Sequence, residues 1–302
     1  MEEYDVIIIG SGPAGLSAGV YAGRYMLKTL IIGGNITGGA ITEAHRVCNF
    51  PSQKNIGGLD LSIKLVEHAK TNGIKFAENE TAKTIEQNGL SFNIKTDQNQ
   101  YQTKKIILAF GRKKRMLNIE GEKEFLGKGI SYCATCDCSF YKDKTVAVVG
   151  GGNSALTAAL LLSEYASKVY IVYRKSKFFR AEPVWIKQTD NNPKIEYLFN
   201  KEIKKITGNK FVEKTIFKDG EELAVGGVFV EIGSIPDETL SKQLNISTER
   251  GYILTDKKQK TNIQGVYAAG DITNNVLKQV ITAAAEGAIA AESVYKEIIK
   301  GD

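Results

Sequence analysis

Two glycine-rich segments in matching surroundings constrain this chain more than any other feature. Gly10-Ser11-Gly12-Pro13-Ala14-Gly15 follows an apolar, β-branched run at residues 5–10 and opens a small-residue helix expected over 16–25. Gly150-Gly151-Gly152-Asn153-Ser154-Ala155 follows the run Thr145–Val149 and opens a helix expected over 156–165. Either motif alone is a weak signal, but a strand before and a helix after turn each into a dinucleotide fingerprint. The first glycine permits the tight turn, and the second lets backbone approach a pyrophosphate. The third small residue lets the helix pack on the sheet, with its N-terminal N–H groups facing the phosphates.

The surroundings repeat as well. A second strand follows each fingerprint, at 29–32 and at Lys168–Tyr173. A β-meander comes next, turning at Asn88-Gly89 between 83–87 and 91–96 in the first half and at Asp219-Gly220 in the second. An apolar strand then ends on a glycine: 105–110 at Gly111, and 227–232 at Gly233. The same elements in the same order predict an α/β protein of two Rossmann-like dinucleotide-binding domains, each with a meander. A further strand, within 265–271, and an Ala-rich helix over 279–299 are expected to complete the first domain. The second domain is then an insertion, giving boundaries of 1–112 with 245–302, and 113–244. Two chain crossings of this kind suit a hinge.

The strand ends bear on nucleotide identity. The first closes on Gly33-Gly34-Asn35, without the acidic residue that binds a ribose, and leaves its nucleotide open. The second closes on Tyr173-Arg174-Lys175, with Arg180 nearby. Cations there favour the 2′-phosphate of NADP.

Composition narrows the classes. The chain has 302 residues, 42% hydrophobic and 25% charged, which suffices for two cores and excludes disorder. Its net charge of +6 comes from 40 basic and 34 acidic residues that are interleaved, which argues against a nucleic-acid surface. The run Arg112-Lys113-Lys114-Arg115 reads first as surface at a domain junction and second as an anion site. No apolar stretch reaches membrane-spanning length, and the amino terminus has no targeting pattern, so a soluble intracellular protein is expected.

Three of the four cysteines fall within Ser131-Tyr132-Cys133-Ala134-Thr135-Cys136-Asp137-Cys138-Ser139-Phe140, and Cys48 stands apart. Cys133 and Cys136 have a spacing that suits either a disulfide or a metal site. In a reducing compartment, such a pair reads as catalytic or metal-binding rather than structural. The histidines, His45 and His68, lie far from it in sequence and read as surface or packing residues.

Together these residues resemble the low-molecular-weight thioredoxin reductases, within the class II pyridine nucleotide-disulfide oxidoreductases. The resemblance spans nearly the whole chain. It rests on both fingerprints, Gly38-Gly39, Asn49-Phe50-Pro51, Cys133-Ala134-Thr135-Cys136-Asp137, Phe179-Arg180-Ala181, the 265–271 segment and Gln279. It implies a cytoplasmic, homodimeric enzyme that passes electrons from NADPH through FAD to a Cys133–Cys136 disulfide and on to thioredoxin or a thioredoxin-like protein. Metal, nucleic acid and membrane have no place in it. FAD would occupy the first domain, with Gly10, Ser11, Gly12, Pro13, Ala14 and Gly15 at its phosphates and Gly33, Gly38, Gly39 and Ala40 along it. Asn49, Gly111 and Gly270 join this set; Asp271 would bind the ribityl chain, and Lys278, Gln279 and Val280 would lie beside the isoalloxazine. NADPH would use Gly150, Gly152, Asn153, Ser154, Ala155, Arg174, Lys175 and Arg180. Cys136 would face the flavin, Cys133 would attack the partner's disulfide, and Asp137 would carry the proton.

The chain departs from the family's usual pattern at several positions. It has Ala109-Phe110-Gly111 for Ala-Thr-Gly, Tyr173-Arg174-Lys175 for His-Arg-Arg, Cys138 for glycine and Cys48 for glutamate. Cys138 reads as an inert small residue ahead of a resolving thiol. Two alternatives keep the fold: a reductase driven by reduced ferredoxin or a deazaflavin, and a flavin-dependent dithiol oxidase. A third is a metal or redox-sensing module built on the four cysteines, which would leave both fingerprints unexplained.

Overall fold

The computed structural model describes residues 2–34 and 36–300, so Asn35 of the first strand end lies outside the described residues. The chain divides into two compact units: one runs through Lys113 and resumes at Ile235, and the other is Lys114–Ser234.

The first unit is built on a seven-stranded sheet. Lys75–Glu78, Thr29–Gly34, Glu3–Ile9 and Gln100–Leu108 lie side by side and parallel. Gln100–Leu108 serves two neighbours. Its first half pairs antiparallel with Ser91–Thr96, continuing the meander to Ala82–Asn88, and its last three residues pair parallel with Val266–Ala268. The meander turns at Gly89, whose φ of 61° is the left-handed value this tight turn needs. Ile7, Ile8, Ile31, Ile106 and Ile107 are fully buried, as expected of strands covered on both faces. Each such side chain contributes about 2 kcal/mol by burial.

One face of this sheet carries the helices Pro13–Arg24 and Val280–Lys300, which share an apolar cluster. They cross closely. A Cβ on Gly287 would lie 2.0 Å from Ala14 O, and Tyr25 stacks on Tyr295 at 4.4 Å. Near the end of the second helix, Glu297 accepts hydrogen bonds from Lys105 and Tyr267 and pairs with Lys260 at 3.0 Å. Burial alone would raise its carboxyl, but the three donors hold it down at about 2. Burial and the Glu297 hydrogen bond push the Tyr267 hydroxyl up.

The second unit repeats the plan. Ile195–Phe199, Lys168–Tyr173, Thr145–Val149, Gly227–Val230 and Ile130–Ser131 form a parallel five-stranded sheet. The meander Ile203–Gly208, Val212–Phe217, Glu222–Ala224 is a separate antiparallel sheet here, turning at Gly220. Tyr141 packs against the strand Gly227–Val230. A Cβ on Gly227 would reach its ring at 2.1 Å, and the ring meets Phe229 edge-on at 4.9 Å.

The return to the first unit comes at Ile235, earlier than the expected 245. The short helix Thr239–Gln243 accounts for the difference. Leu240 and Leu244 are buried among Tyr4, Ile7, Ile85 and Phe92 of the first unit. Gln243 accepts the Ile85 N–H at 3.0 Å and donates to Lys83 O at 2.9 Å, which ties it to the meander. Among the described residues no helix is long and apolar enough to cross a membrane.

Candidate functional site

Both fingerprints have the turn that their glycines dictate. Gly10 has φ 115° and Gly150 has φ 149°. A Cβ on Gly10 would lie 2.3 Å from Ala109 O, and one on Gly150 would lie 2.2 Å from Glu231 O. Each first glycine therefore lets the turn press on the neighbouring strand's exit. Each N–H also donates to the adjoining strand, Gly10 to Ile32 O at 2.9 Å and Gly150 to Val172 O at 3.0 Å.

The helices that follow begin on Gly12 and Gly152, and neither has a side-chain cap. A Cβ on Gly152 would meet nothing within 4 Å, and Gly12 has only Gly39 Cα, at 4.0 Å. Uncapped N–H groups suit a diphosphate at both helices.

In the first unit, Ser11, Gly33, Gly38, Gly39 and Gly270 gather at this turn, and the other predicted residues have neighbours of their own. Ser11 Oγ donates to Gly33 O at 2.8 Å, and Gly38 N–H donates to Ser11 O at 3.0 Å. Gly39 approaches Gly12 so closely that a Cβ would lie 2.8 Å from its Cα. Gly270 abuts the first turn of the helix: a Cβ there would lie 2.8 Å from Ala14 Cβ. Asn49 Nδ2 donates to Gln279 Oε1 at 3.0 Å, and Val280 shares a small apolar cluster with Val47 and Leu61. Gly111, with φ 68°, faces open space, and Ala40 is exposed. Lys278 donates to Thr273 O and lies over the Tyr252 ring at 4.5 Å. Burial pulls its ammonium pKa down, and Arg112 adds to the effect.

Glu286 of this unit escaped the sequence reading, and Arg112 and His45, read as junction surface or an anion site and as surface or packing, have more specific surroundings. Arg112 donates to Asp271 Oδ2 through Nε at 3.0 Å and through its terminal nitrogen at 2.5 Å. Glu286, 6% exposed, accepts from Gly270 N–H at 2.7 Å, from Thr273 Oγ1 at 3.0 Å and from Asn275 Nδ2. It thereby fixes the loop that carries Asp271. An acid set between Ala285 and Gly287, amid alanines, was its signal in the sequence. His45 has a buried Nε2 without a hydrogen-bond partner, on the segment leading to Asn49.

In the second unit, the strand Lys168–Tyr173 delivers Arg174 and Lys175 to the surface, and Arg180 is exposed a few residues later. Asn153, at the start of the fingerprint helix, ties this segment to the fingerprint. It donates to Glu182 Oε1 at 2.8 Å and accepts the Glu182 N–H at 2.7 Å. Ser154 is exposed and Ala155 is buried. Tyr173 covers the turn: a Cβ on Gly151 would lie 2.4 Å from its ring.

The cysteine segment belongs to this unit. Cys133 and Cys136 are joined as a disulfide. Cys133 Sγ caps the short helix Ala134–Asp137, accepting the Cys136 N–H at 3.2 Å. Ser131 Oγ accepts the Cys133 N–H at 3.0 Å and so orients the segment. Ala134 and Cys138 pack into the same cluster as Ala155 and Leu156 of the fingerprint helix. Burial pushes the Cys138 thiol up. Asp137 is half-buried and makes no side-chain cap to the turn that follows, Cys138–Tyr141. Its carboxylate bears on Tyr141, whose hydroxyl is raised by burial first and by this charge second. Among the described residues, no three His, Cys, Asp or Glu side chains gather as a metal site.

The pyridine nucleotide-disulphide oxidoreductase profile matches residues 4–287. A thioredoxin reductase of Bacillus subtilis (strain 168) is 39% identical over 298 residues, covering 96% of this chain and 93% of its own. The crystal structure of Lactococcus lactis thioredoxin reductase superposes with a TM-score of 0.94 at 35% identity, covering 98% of this chain and 99% of its own. That of T. acidophilum thioredoxin reductase gives 0.93 at 36% identity, with coverages of 99% and 100%.

Proposed function

Because the chain belongs to the pyridine nucleotide-disulphide oxidoreductase family, and within it to the low-molecular-weight thioredoxin reductases, we propose that it reduces thioredoxin or a thioredoxin-like protein through Cys133 and Cys136. Enzymes of this family use FAD and NADPH, which when bound supply the hydride and a two-electron path to the disulfide. The Cys133–Cys136 disulfide, on a segment whose Ala134 and Cys138 pack against a nucleotide-fingerprint helix, carries this reading.

The protein's own residues divide the work. The first unit retains FAD through the Gly10–Gly15 turn, Gly38, Gly39, Asn49, Asp271 and the Lys278–Val280 segment. The second binds NADPH through Gly150, Gly152 and Asn153, with Arg174, Lys175 and Arg180 taking the 2′-phosphate. Once reduced, Cys133 is the thiol whose sulfur already accepts a backbone N–H, which favours its thiolate. That thiolate attacks one sulfur of the partner's disulfide, and the partner's other sulfur leaves as a thiolate. Cys136 then attacks Cys133 Sγ, releasing the second partner thiolate and restoring the Cys133–Cys136 bond. Asp137, next in sequence and half-buried, accepts the Cys136 proton as that sulfur becomes nucleophilic.

The reading extends to a cytoplasmic homodimer. Tyr21, Leu59, Ile63, Ile281 and Ile289 are large apolar side chains exposed on helices of the first unit, and assembly would cover such surface. Sedimentation at micromolar concentration tests it, with a monomer as the opposing result. Anaerobic titration with NADPH, followed by addition of an oxidised thioredoxin, tests the activity. Flavin bleaching by NADPH and reoxidation by the thioredoxin are expected. Bleaching by reduced ferredoxin alone would overturn the donor assignment.

A further inference from the structure

We propose that Arg112 is a positioning residue of the FAD site: it commits Asp271 Oδ2, so that Oδ1 remains to receive the ribityl chain, and it neutralises a carboxylate that would otherwise repel the flavin's diphosphate. This inference rests on the FAD reading of the first unit.

The geometry supports both parts. Two N–H groups of one guanidinium converge on the same oxygen, Oδ2, and none of these bonds falls on Oδ1. The pair is partly shielded, with side-chain exposures of 24% for Arg112 and 31% for Asp271, so it is stronger than an exposed ion pair. Asp271 directly follows Gly270, which touches Ala14 in the first turn of the uncapped fingerprint helix. A bare carboxylate at that spot would face the same diphosphate as the helix N–H groups, with the opposite effect. Lys278 senses the same carboxylate, but its ammonium is turned to Thr273 O and the Tyr252 ring. The direct counter-charge is therefore Arg112. Gly111 makes this possible: its left-handed φ of 68° turns the chain out of the buried strand and delivers Arg112 to Asp271.

FAD binding to deflavinated protein, followed by quenching of flavin fluorescence, tests the proposal without turnover. Arg112→Gln should weaken FAD binding about 10- to 100-fold, with Arg112→Lys recovering part of the loss. The thermal midpoint of the flavin-free protein should hardly change between parent and variant. In an Asp271→Asn background, Arg112→Gln should cost no more than about 2-fold, because its partner charge is gone. Equal FAD affinity in parent and Arg112→Gln would overturn the proposal. So would an undiminished effect in the Asp271→Asn background, or a loss matched by a fall in the flavin-free midpoint. Failure of the parent itself to bind FAD would instead overturn the reading on which the proposal rests.

Discussion

The two fingerprints share a turn but differ in what lies over it. In the first unit, Gly39 presses on Gly12, and Ser11 is bonded to Gly33 and Gly38, so a second loop is fastened across the nucleotide turn. In the second, a single ring, Tyr173, lies over Gly151, while Gly152 faces open space and the cations Arg174, Lys175 and Arg180 stand exposed. The third small residue differs too. A Cβ on Gly15 would lie 1.9 Å from Gly10 O, whereas the second turn already accommodates Ala155. This difference accords with the proposed function, in which the first site keeps its cofactor and the second admits and releases a nucleotide in each cycle.

The severest break in this comparison is chemical. Cys133→Ser or Cys136→Ser should lower thioredoxin reduction at least about 1,000-fold in steady-state assays while FAD binding, a property of the other unit, is retained. The next tests the tighter turn. Gly15→Ala should destabilise the first unit by about 3 kcal/mol and release flavin, measured by urea denaturation and flavin content, because the new methyl group meets backbone. The reciprocal change, Ala155→Gly, should cost only about 1 kcal/mol.

Glu297→Gln should follow, at about 2–3 kcal/mol, by leaving the partly buried cations Lys105 and Lys260 without their carboxylate. The same group predicts a pH dependence. A carboxyl held at about 2 in the folded protein binds its proton more weakly than an unfolded glutamate near 4.5. Its stabilisation is therefore complete above about pH 4.5 and is lost as pH falls toward 2, which denaturation midpoints across that window measure. The open site should respond more mildly. Arg174→Gln should raise the KM for NADPH about 10-fold with kcat and NADH kinetics unchanged. Cys138→Ala should change turnover by less than about 2-fold, since the thiol is buried and its pKa is raised.

What was legible followed from local rules. Glycines with positive φ, the Asn88-Gly89 turn and runs of β-branched residues each specify structure within a few residues, and so both fingerprints and both meanders could be read directly. Arg112 could not be. In sequence it opens a run of four bases that looks like surface, and its partner Asp271 lies beyond the whole second unit. Glu297 is similar: an acid near the end of a helix gives no sign that Lys105, Tyr267 and Lys260 converge on it. The boundary at Ile235 was hidden for the same reason, because Leu240 and Leu244 join a core whose other members lie at or before Phe110 or from Ile246 onward.

The strand Val266–Ala268 and the helix Val280–Lys300 also set an order of assembly. On the ribosome, Gln100–Leu108 emerges with one flank of its last three residues unpaired, and the helix Pro13–Arg24 emerges without the helix that covers it. The whole of Lys114–Ser234 is synthesised before either gap can be filled. The second unit has every strand of its sheet within one continuous stretch, so it can fold first. The first must wait for the end of the chain, and a truncation before Val266 would yield a sound second unit tethered to an unfinished first.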